Sequence, residues 1–383
     1  MKVYLDYQSS KPVDPRVVKA MDPYFNETFG NPSSLHSVGD EATEALDKSR
    51  STIANLVQAE PDEIIFTSGA TESNNLALIG YALKNKSQGK QIIISETEHI
   101  SIHNTAKFLM KSGFEVSKVP VDHYGKVHPD KIKERLTNDT LLVSIGYASN
   151  EIGTIQPIKE IGRLCREKDI AFHTDAVAAE GLLEIDVKKN TIDLMTLSSN
   201  DIYGPKGLGV LYVRKGIKLM PQIIGGGQEN GIRSGTENLP AIAGMARAAE
   251  IVIQEREQEA KKLQSFRDTL IKEILKNIPR SYLNGHPENR LPNNAHFRFD
   301  GIEGESLLLS LNDKGIAVST GSACSSKTLE PSHTLIAIGL LHEEAHGSLE
   351  LTAGRFTKES DIESVIKALP EVVDRLRKLS PIY

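Results

Sequence analysis

The segment FTSGATESNNLAL, residues 66–78, has the residue types of an anion-binding turn. An apolar run ends at Thr67, three small residues follow, and Thr71 begins a pattern that is typical of a helix. In such an arrangement, free N–H groups and the helix dipole point at one spot. The alternative is a capped turn without a ligand. The turn lacks the GxGxxG and GxxxxGKS/T patterns, so neither a dinucleotide site nor a P-loop is predicted.

Polar side chains also follow three other apolar runs, where strands are predicted to end. Asp175 stands in AFHTDAVAAEG, His99 in ISETEHISIHN and Asn150 in GYASNEIGTIQPI. The carboxyl ends of parallel strands meet at one sheet edge, so these residues are predicted to line a shared crevice. A carboxylate there commonly pairs with a cation, including a protonated ring nitrogen of a cofactor. The alternatives are a helix N-cap for Asp175 and a structural role for His99.

The chain has two cysteines, too few for a disulfide framework or a zinc-ligand cluster. Cys165 lies in the amphipathic pattern IKEIGRLCREKDI and is predicted to be a helix residue without chemistry. Cys324 lies in GIAVSTGSACSSKTLEPSH, near the tip of a loop rich in Gly and Ser, where a thiol is a candidate nucleophile. The alternative is an incidental loop cysteine.

The segment LLHEEAHGS contains a formal HExxH pattern between His342 and His346. On a helix, two such histidines bind zinc and the glutamate acts as the base. Here Gly347 follows at once and the β-like run SLELT begins after it, which leaves little helix to hold the pair. No third ligand stands downstream, so no metal site is predicted.

Composition excludes several classes of function. Hydrophobic residues make up 39% and charged residues 25%, as in an ordinary soluble globular protein. The net charge of −6 provides no basic field for nucleic acid or anionic lipid. No apolar run approaches the roughly 20 residues that span a bilayer, and the N-terminus does not read as a signal peptide. We expect a cytoplasmic protein without nucleic-acid or membrane partners.

Apolar, β-rich runs alternate with helical patterns from about residue 60 to 215. Strands are predicted at 63–68, 91–95, 141–146, 170–174, 193–198 and 210–214. Helical patterns fall between most of them, at 71–83, 100–112 and 157–168. This rhythm predicts an α/β fold with a mostly parallel sheet that is covered by helices.

The rhythm changes after a long charged helical pattern from about residue 240 to 278. The runs AHFRF, ESLLLSL, GIAVST and GSLELT and a final helix over about 359–379 form an α+β pattern. Asp14-Pro15 is predicted to cap and begin an early helix. We predict a large cofactor-binding α/β domain over residues 15–254. A small α+β domain that carries the cysteine loop is predicted over residues 1–14 and 255–383.

These segments occur in the same order in one protein family. The shared motifs are PVDPRV, FGNPSSLHSVG, FTSGATESNNLAL, TEH, NEIGTIQPI, HTDA, YGPKGLGVLYVR, GGGQENGIRSGTEN, STGSACSS, EPSH and GRFT. With them the chain resembles the cysteine desulfurases of the NifS/IscS branch, which are class-V aminotransferase-like enzymes of fold type I that use pyridoxal 5′-phosphate (PLP). The resemblance implies a homodimer with the cofactor between the two domains, at the dimer interface.

The resemblance also implies which residues bind the cofactor phosphate. Ala70, Thr71 and Ser198 would hold it within the subunit, and Thr236 would reach the phosphate of the neighbouring subunit.

Other roles follow from the same resemblance. Asp175 would pair with the pyridinium nitrogen, His99 would stack on the ring, and Asn150 and Asn200 would complete the cofactor contacts. Cys324 would attack the sulfur of L-cysteine and carry a persulfide. An IscU-type iron–sulfur scaffold protein is the expected recipient.

The chain departs from the family at the residue that binds PLP covalently. The family has Ser-Ser-His-Lys where this chain has Ser-Ser-Asn200-Asp201, and its lysine forms the Schiff base with PLP. Lys206 does not replace that lysine, because the family has a lysine there as well. Aspartate cannot form an imine, although its carboxylate is a candidate base if burial raises its pKa. PLP would then be held noncovalently, or as its amine form, pyridoxamine 5′-phosphate (PMP).

Two further positions differ from the family pattern. The glutamine near the cofactor's phenolic oxygen falls at Ala178. The arginine that grips the substrate carboxylate falls at Glu350, which replaces a bidentate cation with a like charge.

Three interpretations stay open. The first is a cysteine desulfurase that mobilises sulfur for iron–sulfur cluster assembly with noncovalent PLP and with Asp201 as a catalytic residue. The second is a catalytically impaired homologue that supports cluster assembly on a scaffold protein through Cys324. The third is a different aminotransferase-like reaction that uses PMP. The segment GSACSS favours the first two, because a generic aminotransferase has no need of it.

Overall fold

The computed structural model describes residues 3–320 and 331–379. Cys324 therefore lies outside the described residues. The fold is α/β with a large, mostly parallel sheet, which confirms the predicted fold class.

The large sheet has seven strands whose carboxyl ends position the predicted site. In spatial order these are β2 (Ile64–Thr67), β8 (Gly209–Val213), β7 (Leu194–Ser198), β6 (Ala171–Asp175), β5 (Thr140–Ser144), β3 (Gln91–Ser95) and β4 (Glu115–Val119). Only β8 runs antiparallel to its neighbours, β2 and β7. Each of the six predicted strands is present.

Both faces of this sheet are buried, which explains its nearly continuous apolar strands. In β3, Ile93 packs into one core cluster and its neighbours Ile92 and Ile94 pack into another. In β2, Ile64 and Ile65 divide between the same two clusters.

Helices cover the sheet and lead up to it. They are α1 (Pro15–Met21), α2 (Pro23–Asn26), α3 (Ser37–Val57), α4 (Ala70–Asn75), α5 (Tyr81–Lys84), α6 (Ile100–Lys111), α7 (Pro129–Lys133) and α8 (Ile158–Glu167). A π-helical turn, Leu76–Gly80, joins α4 to α5. Asp14 caps α1 as predicted, because its side chain accepts from the backbone N–H of Arg16. Cys165 is buried in α8, and burial raises its thiol pKa to about 12, so the predicted inert role fits.

A second core lies beyond the long helix α9 (Leu239–Asn277). Its antiparallel sheet places β10 (Asn294–Phe299) between β9 (Ser281–Asn284) and β12 (Ser348–Thr352). A parallel pair joins β1 (Val3–Tyr4) to β11 (Ile316–Ala317). The remaining helices are α10 (Gly304–Asp313), α11 (His333–Ala337), α12 (His342–His346) and α13 (Glu359–Leu379).

Helix α9 contributes to both cores. Its first half, as far as Val252, packs on the large sheet, and Leu263, Leu270 and Ile274 pack with the second core. We propose that the domain boundary lies within α9 at residues 254/255, as the sequence predicts.

An ion-pair network ties these parts together. The Arg355 guanidinium binds Asp14 at 2.9 Å and Glu259 of α9 at 2.8 Å. Its backbone N–H donates to the Tyr203 hydroxyl at 2.6 Å, in the loop after β7. The N-terminal segment, α9 and that loop are therefore held by one residue.

The structure also bears on the predictions about a metal site and about a membrane span. Helix α12 spans only the five residues of HEEAH, and no metal-ligating group of three or more side chains occurs within residues 3–320 and 331–379. No helix in the described part of the chain has the length and apolar character that crossing a membrane requires.

Candidate active site

Seven of the ten predicted site residues converge on one cavity of about 1140 Å³. It opens at the carboxyl ends of the large-sheet strands and is bounded on the other side by β12. Its lining includes Ala70, His99, Asn150, Asp175, Ser198, Asn200 and Asp201. Ala178 and Glu350 also line it.

Three predicted residues are not placed in this cavity. Thr71 begins α4 beside Ala70, but its side chain is exposed and does not line the cavity. Thr236 is also exposed and does not line the cavity of its own chain, so its contact with a neighbouring subunit stays a prediction. Cys324 lies outside the described residues, although Ser319 and Thr320, which precede its loop, line the cavity.

The anion-binding turn has a backbone that only glycine allows. Gly69 adopts φ 148°, a conformation that L side chains rarely adopt. A Cβ on Gly209 of β8 would lie 2.6 Å from the backbone of Gly69. The two glycines therefore let β8 approach the turn and leave the first N–H groups of α4, at Ala70 and Thr71, open toward an anion.

Asp175 is oriented by a hydrogen-bond chain that ends at His99. Asn74 Nδ2 donates to Asp175 Oδ2 at 2.7 Å and to Ser101 Oγ at 2.9 Å. The Ser101 backbone N–H donates to His99 Nδ1 at 3.2 Å, and the Ser101 hydroxyl lies 2.7 Å from the same atom. Because Nδ1 is an acceptor, the neutral imidazole carries its proton on Nε2. The other Asp175 oxygen accepts from the Val177 N–H at 3.1 Å.

Asp201 is buried against a lysine from the N-terminal segment. Lys11 Nζ lies 3.9 Å from Asp201 Oδ1 and donates to the Asp201 backbone carbonyl at 2.5 Å. Burial raises the pKa of Asp201, and the charge of Lys11 opposes that rise.

Glu180 is a second buried carboxyl next to this pair. One of its oxygens accepts from the Ser198 backbone N–H at 2.7 Å, and the other has no hydrogen-bond partner among the described residues. Burial and the neighbouring charge of Asp201 raise the pKa of Glu180 well above its usual range.

The part of the cavity lined by Glu350 and Glu151, called here the substrate end, is acidic. Glu350 Oε1 accepts from Asn294 Nδ2 at 3.1 Å, and Glu151 Oε2 accepts from the Ser332 hydroxyl at 2.7 Å. Burial raises the pKa of Glu151 to about 7, and burial together with Glu151 raises that of Glu350 well above its usual range. His296 Nε2 lies 4.0 Å from Glu151 Oε1, but burial lowers the pKa of His296 to about 3, so it provides no cation.

Comparison with known proteins decides the family. The aminotransferase class-V family model matches residues 3–365. The chain belongs to the class-V aminotransferase family.

Similar proteins within this family share nearly the whole length of the chain. It is 56% identical over 380 residues to cysteine desulfurase IscS 1 of Archaeoglobus fulgidus, with 99% of each chain covered. It is 50% identical to cysteine desulfurase IscS of Methanosarcina thermophila, over 99% of this chain and 94% of the relative. A NifS-like protein of known structure superposes with a TM-score of 0.92 at 35% identity, covering 98% of this chain and all of its own. The structure of SspA in complex with cysteine gives a TM-score of 0.83 at 34% identity, over 93% and 100% of the two chains.

Enzymes of this family depend on PLP, and the residues present fit that group. The glycine-built turn at Ala70 suits a phosphate, and Asp175 presents a fixed carboxylate to a ring nitrogen. His99 lies on the same wall of a cavity that is large enough for the cofactor. The side chain at position 201 is a carboxylate, which cannot form an imine with the aldehyde of PLP.

Four residues of this site were not predicted from the sequence. Asn74 and Glu180 stand behind the predicted residues, Lys11 comes from the N-terminal segment, and Glu151 stands beside Asn150. A signal for Asn74 was available, because the helix start that predicts the turn also places it one turn inside the helix.

The Lys11–Asp201 pair leads to a stability prediction. Lys11→Met leaves a carboxylate buried without its cation, and we expect a loss of about 3–5 kcal/mol of unfolding free energy. Asp201→Asn combined with Lys11→Met removes both charges and should recover part of that loss. The measurement is the denaturant unfolding midpoint of the wild type, both single variants and the double variant. Strictly additive effects of the two substitutions would contradict the pairing.

Glu350 leads to a prediction about pH. Its folded-state pKa is raised, so its contribution to stability is complete below the unfolded pKa of about 4.5 and falls as pH rises toward the folded pKa. Glu350→Gln keeps the shape without the titration. We measure the melting temperature of Glu350→Gln minus that of the wild type at each pH. We expect this difference to increase from pH 5 to pH 8, because only the wild type loses stability through this group. A difference that stays constant over this range would show that Glu350 has the same pKa in the folded and unfolded states, which contradicts the raised folded-state pKa.

Proposed function

We propose that the chain is a cysteine desulfurase of iron–sulfur cluster assembly that holds PLP noncovalently. In this proposal it takes sulfur from L-cysteine, releases L-alanine and carries a persulfide on Cys324. The observation that supports this most directly is the single cavity that joins the anion turn, Asp175 and His99 to the residues preceding the Cys324 loop. The relatives described above carry the name cysteine desulfurase, and one similar structure holds cysteine.

The site residues have separate tasks in this proposed reaction. PLP, when bound, supplies an electron sink for the substrate carbon. The Ala70 turn and Ser198 hold the phosphate, and Asp175 keeps a proton on the ring nitrogen. Asp201 is the candidate base for the substrate Cα proton, because burial brings its pKa closer to neutrality.

Cys324 performs the sulfur transfer. Its thiolate attacks the substrate sulfur, the S–Cβ bond breaks, and an S–S bond forms on the enzyme. The electron pair of the broken bond stays with the substrate carbon, which takes up a proton and leaves as L-alanine.

A second candidate function is favoured by the acidic substrate end. Glu350 and Glu151 offer no cation to the carboxylate of L-cysteine, and at neutral pH any ionised fraction repels it. On this interpretation the chain is a PLP- or PMP-binding homologue that supports cluster assembly on a scaffold protein through Cys324 without turning over L-cysteine.

Both functions carry the same expectations about partners. We propose a cytoplasmic homodimer that works with an IscU-type scaffold protein and has neither nucleic-acid nor membrane partners. The dimer is supported by apolar side chains that the single chain leaves in solvent, since Leu35 and Ile224 have relative exposures of 103% and 88%. Both lie in or next to segments that match family motifs.

Light scattering of the purified chain tests the dimer. We expect twice the mass of the 42.0 kDa chain, and the monomer mass for a Leu35→Asp, Ile224→Asp double variant. A monomeric wild type at micromolar concentration would contradict the expectation.

Release of L-alanine and sulfide from L-cysteine separates the two functions. The assay contains PLP and a reductant, and Cys324→Ser runs beside the wild type. Turnover by the wild type that Cys324→Ser abolishes supports the desulfurase. No turnover by the wild type contradicts it and favours the assembly homologue.

Restoring the family lysine sharpens this assay. Asp201→Lys alone would bury two ammonium groups together, because Lys11 Nζ already lies beside position 201. The variant to use is therefore Asp201→Lys with Lys11→Met, and Lys11→Met alone is its control. If only the lysine-restored variant turns over, the substitution at 201 is what blocks the wild-type reaction.

A further inference from the structure

Lys11 is the only lysine that is buried among residues 3–320 and 331–379. A buried ammonium is costly unless an anion and hydrogen bonds compensate it. The anion that compensates it here is Asp201, whose Oδ1 lies 3.9 Å away. The Asp201 carbonyl accepts a hydrogen bond from the same Nζ at 2.5 Å.

The surroundings show which carboxyl carries the charge. Lys11 faces Asp201 and the Tyr203 ring, whose centroid is 5.4 Å from Nζ. Glu180 stands near both Lys11 and Asp201, but one of its oxygens accepts from the Ser198 backbone N–H and the other has no hydrogen-bond partner among the described residues, so the ion pair of Lys11 is with Asp201. Asp201 therefore carries the negative charge of this group, and unlike Lys11 it lines the cavity.

We propose that the Lys11–Asp201 pair makes this cavity select a vitamin B6 phosphate that carries a protonated amine on its 4′-carbon. PMP is the simplest such compound. Asp201 is the anion that receives the ammonium, and Lys11 is a positioning residue that keeps Asp201 ionised. The inference rests on the proposed B6-phosphate site but not on desulfurase activity.

The chemistry of the three B6 phosphates explains the selection. With the phosphate at the Ala70 turn and the ring nitrogen at Asp175, the 4′-substituent is left for the remaining polar wall, which includes Asp201. A carboxylate has no donor to bind in the aldehyde of PLP, and from the alcohol of pyridoxine 5′-phosphate it accepts one hydrogen bond without an opposite charge. It forms a charge-assisted hydrogen bond with the ammonium of PMP, which corresponds to about tenfold or more in affinity.

Equilibrium binding of PMP, PLP and pyridoxine 5′-phosphate to the full-length apoprotein tests the inference. The alcohol is the matched neutral control, because it shares the ring and the phosphate. We expect wild type to bind PMP at least about tenfold more tightly than the alcohol, and more tightly than PLP. Equal affinity for PMP and the alcohol, or tighter binding of PLP, would overturn the proposal.

Variants show whether the pair causes the selection. Asp201→Asn keeps the shape and should remove the preference for PMP over the alcohol. Lys11→Arg should keep the preference and Lys11→Met should weaken it. Should Asp201→Asn not fold, the Lys11 variants decide, and an undiminished preference in Lys11→Met counts against the proposal.

Borohydride reduction in the presence of PLP tests the main competing role. If the Lys11 amine itself binds the aldehyde, reduction and peptide mapping will find a covalent PLP adduct on Lys11, and the proposal is wrong. We expect no adduct on that peptide.

All of these measurements are made without L-cysteine. A chain that prefers PMP but releases no alanine supports the inference while it contradicts the proposed desulfurase. A chain that releases alanine without preferring PMP supports the proposed desulfurase and contradicts the inference.

Discussion

The burial of one ammonium group under the loop after β7 constrains much of this structure. Lys11 is held there by Asp201, and an isolated charge in that position would be strongly destabilising. The pair therefore attaches the N-terminal segment to the floor of the cavity. Lys11 and Asp201 are best understood as one unit, because neither side chain is tolerable at its depth without the other.

The rest of the site follows from the parallel sheet. The strands β3, β5, β6 and β7 end at the same edge, and the residues after them meet although they are far apart in sequence. Side chains behind the cavity wall then fix their orientation by hydrogen bonds, as Asn74 does for Asp175. The sheet thus positions the site, while Asp201 and Glu350 place carboxyl groups in its lining. The same fold can in this way present a different chemistry.

Sequence patterns predicted the elements whose environment is uniform. The strands buried on both faces and the long helices α9 and α13 were predicted, and so were the polar residues that follow those strands, whereas the long helix α3 was not. The edge strand β4 was missed because EVSKV leaves most of its side chains at least partly in solvent and has no apolar run. Strand β9 was missed for a similar reason.

Contacts between distant residues could not be predicted from a single sequence. Lys11 and Asp201 are separated by 190 positions, and Asn74 and Asp175 by 101. No local pattern marks Lys11 as buried, since lysine is rarely buried and its neighbours form an irregular segment. Glu180 likewise follows the motif HTDA without a signal that it would be buried beside Asp201.

The parallel pairing of β1 with β11 has a consequence for the order in which the protein forms. Val3 and Tyr4 of β1 pair with Ile316 and Ala317, and Asp6 pairs with Thr352. The segment that carries Lys11 therefore lacks these partners until residues far along the chain have been synthesised, and such long-range pairing is slow. The large sheet can form first, but the charge at Asp201 stays uncompensated until then. Completion of the cavity is therefore expected late in folding.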